Sequence, residues 1–104
     1  MTVSEIAQRL SATTLVETEI NTDGVYVGDF LSRVMGKAPS RCVWLTVMTN
    51  VNVAGVATLA EIGAVVLCEG VEPDANLVER CKTENIALLK SPLAVYDACV
   101  ALSK

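Results

Sequence analysis

A chain of 104 residues that is 52% hydrophobic is long enough to bury one core and too short for two, so a single domain spanning 1–104 is expected. Eight basic residues against twelve acidic ones leave a net charge of -4, no five-residue window gathers a basic patch, and only 4% of residues are aromatic. Nucleic acid is therefore not an expected partner, because phosphate backbones select clustered Lys and Arg and exposed bases select aromatic platforms.

Met1-Thr2-Val3-Ser4-Glu5 carries neither the positive region nor the apolar run of a secretory signal. The most apolar stretch, residues 53–68, is interrupted by Glu61 and two glycines, so no membrane span and no membrane partner are expected. A cytoplasmic protein is the simplest expectation. Cysteines 42, 68, 81 and 99 form no Cys-x-x-Cys pair and lie in or beside apolar segments, which predicts reduced thiols and neither a metal site nor a disulfide framework.

Along the chain, Thr2-Val3-Ser4-Glu5 has the spacing of a capping box, and Val3, Ile6, Ala7 and Leu10 mark one apolar helical stripe. Residues 13–17 read as a brief strand, Asn21-Thr22-Asp23-Gly24 as a turn and Val25-Tyr26-Val27 as extended chain. Gly28-Asp29 then opens a helix with Leu31, Val34 and Met35 inward, Asp29 paired with Arg33 one turn on, and Gly36 as the left-handed exit. Residues 37–41, with Pro39, form a loop.

From Cys42 the sequence falls into three strand-then-helix units, at 42–63, 64–85 and 86–104. Their openings, Val43-Trp44-Leu45-Thr46-Val47-Met48, Ala64-Val65-Val66-Leu67-Cys68 and Ile86-Ala87-Leu88-Leu89, are apolar without alternation, the pattern of strands covered on both faces. The expected fold is an α/β domain with a mainly parallel sheet and helices on both faces. Pro73-Asp74 and Ser91-Pro92 mark helix starts, and Asn85 a left-handed exit. Helix 74–84 is one-sided, whereas 51–62 and 92–102 are apolar almost all round, which predicts a subunit interface over one or both and hence a homodimer.

Crossovers of one hand carry every loop that follows a parallel strand to the same edge of the sheet. Thr49, Asn50, Asn52, Glu69, Gly70 and Ser91 should meet there, offering hydroxyls, amides and helix N-termini to a small polar or phosphate-bearing ligand, with Glu69 and Glu72 opposing a highly charged anion. Ordinary capping and turn chemistry uses the same residue types, so both readings stay open. Catalysis has thin support: the chain has no histidine, no phosphate-binding loop ending in Gly-Lys-Ser/Thr, and no carboxylate partner for Glu69 at a recognisable spacing. Gly24-Val25-Tyr26-Val27-Gly28 reads as two turn glycines around a strand, and Tyr26 and Trp44 as core aromatics.

Three segments carry a family resemblance: Gly24-Val25-Tyr26-Val27-Gly28-Asp29-Phe30-Leu31-Ser32-Arg33-Val34-Met35-Gly36, then Thr46-Val47-Met48-Thr49-Asn50-Val51-Asn52-Val53-Ala54-Gly55-Val56-Ala57, then Glu69-Gly70-Val71-Glu72-Pro73. In content, order and distance they resemble the small stand-alone DRTGG-domain proteins over nearly the whole chain. That domain type is similar to the N-terminal part of HPr kinase/phosphorylase and to a module of some phosphotransacetylases, and it can accompany CBS domains. The resemblance implies a non-catalytic regulatory or ligand-binding part, with Asp29 and Ser32 joining the candidate ligand residues, no catalytic or metal-binding residue, and no identified cofactor. The chain departs from the pattern at Asn50-Val51, where the Asp-Arg pair that names the family would fall, and at Glu69, where a small residue is usual before Gly70. The alternative is a protein-docking module that uses its apolar helices and takes no small ligand.

Overall fold

The computed structural model describes residues 1–104 and contains ten elements. In order they are α1 (Val3–Leu10), β1 (Thr13–Val16), β2 (Val25–Val27), α2 (Leu31–Lys37), β3 (Val43–Thr46), α3 (Asn52–Leu59), β4 (Ala64–Leu67), α4 (Ala75–Glu84), β5 (Ala87–Lys90) and α5 (Val95–Leu102). The strands form one sheet in the order β1-β5-β4-β3-β2, in which β2 through β5 are parallel neighbours and β1 runs antiparallel along the outer side of β5. No helix is long and apolar enough to cross a membrane.

This order explains why the strand sequences do not alternate. Each parallel strand is followed by a helix and then by its immediate neighbour, so crossovers of a single hand lay α2, α3 and α4 side by side on one face. Their inward residues Val34, Val53, Ala57, Leu77 and Cys81 pack with Trp44, Val65, Leu67 and Leu88. The other face of the same strands, Val43, Leu45, Val66 and Leu89, is covered by Val3, Ile6 and Leu10 of α1 and by Ala98 and Leu102 of α5. Every residue of β3 and β4 is buried, because each has a helix above and below it.

Two sequence signals that act within one turn hold, at Thr2-Glu5 and at Asn85. The Thr2 hydroxyl accepts the amide of Glu5 while the Glu5 carboxylate accepts the amide of Thr2, a complete capping box. Those hydrogen bonds hold the Glu5 carboxyl below its usual range. Asn85 ends α4 at φ 57°, in the left-handed region. Trp44 is fully buried, and its indole Nε1 donates to the Gly28 carbonyl at 2.8 Å, so the polar edge of a core aromatic is satisfied.

The structure corrects five local expectations. Helix α2 starts at Leu31 after Phe30, with no side-chain cap, and Asp29 makes no ion pair with Arg33. Its carboxylate turns to β3 instead, accepting the Thr46 hydroxyl at 2.6 Å and the Val47 amide at 3.0 Å. Met35 points outward, 48% exposed, and Gly36 lies inside the helix, which leaves through Ala38 in extended geometry. Ser91-Pro92 does not open α5: the helix begins at Val95, because the segment before it is held by the β4–α4 loop.

The all-round apolarity of residues 51–62 also has an internal cause. Helix α3 lies between α2 and α4 and against the sheet, so three neighbours cover it and only Leu59 among its large apolar residues is exposed. On α5 the inward stripe is buried, while Tyr96 and Val100 face out.

Candidate functional site

The loops after β2, β3, β4 and β5 meet at the carboxyl edge of the parallel strands, and hydrogen bonds stitch each to the next. Asp29 ties the first to the end of β3. The Thr49 carbonyl then accepts the amide of Asp74 at 2.9 Å, joining the second loop to the third. Between the third and the fourth, Glu69 N donates to the Leu93 carbonyl at 2.8 Å and Gly70 N to the Ser91 carbonyl at 3.0 Å. The Glu69 carboxylate also accepts the Val95 amide at 3.1 Å, occupying the otherwise uncapped start of α5. Glu69 and Gly70 both adopt left-handed backbone, φ 66° and 70°, and that reversal turns the chain back across the rim.

Antiparallel β1 changes the shape of this edge. Because Thr13 pairs with Lys90, β1 begins where β5 ends, and the end of α1 reaches the same rim. Ser91 is 1% exposed there, its hydroxyl donating to the Leu10 carbonyl at 2.6 Å and accepting the Leu93 amide at 3.1 Å. Between these pieces opens a cleft of about 310 Å³. Ser11, Thr13, Gly70, Glu72, Lys90, Ser91 and Pro92 line it, with no hydrophobic residue among them. The Lys90 ammonium donates to Glu72 Oε1 across this space.

The residues named from sequence divide between two ends of the rim. Gly70 and Ser91 line the cleft, and Glu69 immediately precedes it with its carboxylate engaged at Val95. Asp29, Thr49, Asn50 and Asn52 lie at the end beside β2 and β3, where Asn50 Oδ1 accepts the Asn52 amide at 2.9 Å and so starts α3. Ser32, on the first turn of α2, is exposed. Ser11, Thr13, Lys90 and Pro92 are cleft residues that sequence reasoning passed over. Lys90 had a visible signal, the single charge closing an apolar strand, whereas Ser11 and Thr13 enter only through the distant pairing of β1 with β5.

A second cleft, of about 280 Å³, lies at the opposite edge between the start of α1 and residues 17–20. Its charged lining is Glu17 and Glu19, without a cation. No group of three or more His, Cys, Asp or Glu side chains is placed to hold a metal ion. The cysteines are all free, and burial pushes the thiols of Cys68 and Cys81 up to about 11 and that of Cys42 upward, which makes these three poor nucleophiles and poor metal ligands.

No protein-family model matches the chain, and no curated protein matches it. Among solved structures it is similar to the CBS and DRTGG domains of the regulatory region of Clostridium perfringens pyrophosphatase, which was crystallised with an activator, diadenosine tetraphosphate. The TM-score is 0.77 at 13% sequence identity, over 97% of this chain and 45% of that one. The present chain thus spans less than half of that regulatory region, and the likeness establishes a DRTGG-like fold.

Proposed function

We propose that this chain is a non-catalytic regulatory domain that takes a small polar or phosphate-bearing ligand at the carboxyl edge of its sheet, beside a separate enzyme. The observation that carries the reading is the cleft at the rim where β5 ends and β1 begins, which is lined only by non-hydrophobic residues and lies where open α/β sheets commonly hold ligands. The regulatory region that shares this fold binds a nucleotide activator, which supports a ligand-responsive role here. The four free cysteines suit a reducing compartment, and the proposal includes a cytoplasmic location.

Thermal denaturation with a panel of nucleotides, phosphate, amino acids and sugars tests this reading. A ligand present at ten times its Kd stabilises the folded state by about 1.4 kcal/mol, which raises Tm by about 6–10 °C in a domain of this size. Thr13→Trp, at an exposed cleft position on an edge strand, should abolish that rise while leaving the unliganded Tm in place. No rise with any probe at millimolar concentration, or an equal rise in Thr13→Trp, overturns the proposal.

A second reading, a docking domain without a small ligand, is favoured by the exposed apolar residues Tyr96 and Val100 on α5 and Val25 and Val27 on edge strand β2. For that surface we propose a second copy of the chain. Light scattering at tens of micromolar should then give twice the chain mass of 11.0 kDa, and Tyr96→Lys should halve it. A wild-type monomer rules the dimer out.

A further inference from the structure

We infer that the ligand of the β5–β1 cleft is a zwitterion of amino-acid type, carrying a carboxylate and an ammonium on one small skeleton; this rests on reading the cleft as a ligand site. The lining holds one charge of each sign, Lys90 and Glu72, and they meet only each other. The Lys90 side chain is 29% exposed and that of Glu72 73%, so the pair is wet and readily separated. A ligand carboxylate received by the Lys90 ammonium and a ligand ammonium received by the Glu72 carboxylate restore both charges. One intramolecular pair becomes two charge-assisted contacts with no net charge brought into the cleft.

The remaining groups favour the same class. The hydroxyls of Ser11 and Thr13 have no partner within the protein and are free to donate and accept. The groups that would cradle a phosphate are committed: Gly70 N donates to the Ser91 carbonyl and the Ser91 hydroxyl to the Leu10 carbonyl. A polyphosphate would meet one ammonium beside the Glu72 carboxylate, on a chain of net charge -4. The volume of about 310 Å³ stands at the small end of ligand sites.

Titration calorimetry with the twenty standard L-amino acids, ATP and inorganic phosphate tests the inference on the full chain. At least one amino acid should bind, and its methyl ester and its N-acetyl derivative should each bind tenfold or more weakly. Glu72→Gln and Lys90→Met should each weaken it by a similar factor. Glu72 is exposed and Lys90 partly buried, so folding of both variants is checked by the unliganded Tm. The sign at Glu72 separates the classes, since removing that carboxylate weakens a zwitterion and strengthens an anion. Binding by ATP or phosphate alone, tightened in Glu72→Gln, overturns the inference and leaves the regulatory reading standing. Unchanged amino-acid binding in Glu72→Gln also overturns it, as does silence from all twenty amino acids, while the regulatory reading falls only if the wider thermal-denaturation panel is silent too.

Discussion

Glu69 Oε2 accepts the main-chain amide of Val95 at 3.1 Å, so a carboxylate from the β4–α4 loop caps a helix that starts 26 residues later. The residue before α5, Ala94, has no side chain able to do this. With the Glu69 amide donating to the Leu93 carbonyl, one residue holds both the chain entering α5 and the first turn of that helix. The carboxylate that leaves the core after four apolar residues is therefore a tertiary cap.

Removing that cap should be measurable. Glu69→Ala is expected to lower stability by about 1 kcal/mol, the usual cost of losing an N-cap acceptor. Glu69→Gln keeps an acceptor and should lose less, by the share owed to charge at a helix N-terminus. Urea denaturation of the three proteins at neutral pH checks the order.

Gly63 and Gly55 should respond in opposite directions to alanine. A Cβ on Gly63 would lie 2.4 Å from the Arg41 carbonyl oxygen, which is backbone and cannot swing aside, so Gly63→Ala should destabilise by about 2–3 kcal/mol. Gly55, inside α3, has open space where its Cβ would stand, and Gly55→Ala should stabilise by about 0.5–1 kcal/mol. Thermal or urea midpoints decide both.

The Asp29 carboxylate is the acceptor for the hydroxyl of Thr46, a residue only 1% exposed. Asp29→Ala strands that hydroxyl and frees the Val47 amide, which should cost about 1–3 kcal/mol. Asp29→Asn retains an acceptor and should cost less. Faster hydrogen exchange at Val47 in Asp29→Ala, read by NMR, would locate the loss at the β2–α2 loop.

Thiol chemistry should single out Cys99. It is half-buried, whereas Cys42, Cys68 and Cys81 are buried with raised pKa values whose leading cause is desolvation. At pH 8 a maleimide should modify Cys99 first, and the other three only on unfolding. The sign of the pH effect follows: above the ordinary thiol value of 9.0 the unfolded chain gives up protons that the folded chain keeps until about 11 at Cys68 and Cys81. Stability is then intact below pH 9 and falls as pH rises from 9 through 11, which denaturation midpoints across that range would register.

What the residues settled alone are features decided within a turn or by the covering of a whole strand. The capping box at Thr2 and Glu5 joins neighbours in sequence, and Asn85 takes the left-handed exit by its own backbone preference. Unbroken apolar runs at residues 43–45 and 64–67 specify strands with helices above and below, and so a parallel sheet and a shared loop edge. Local rules failed where a distant partner offered a better bond. Asp29 left the α2 terminus for Thr46 and Val47, and Ser91 left the α5 terminus for the Leu10 carbonyl, 81 residues away.

The cleft belongs to that second group. Lys90 and Glu72 are 18 residues apart, and Ser11 and Thr13 lie far from both in sequence. They become one site because β1 closes the sheet antiparallel to β5, bringing the end of α1 to the rim. Hydrophobic patterning fixes which face of a strand is buried, and it is silent on which edge a short strand joins. That choice was made by packing α1 and β1 against the rest of the fold, and it decided where the polar groups of the rim would meet.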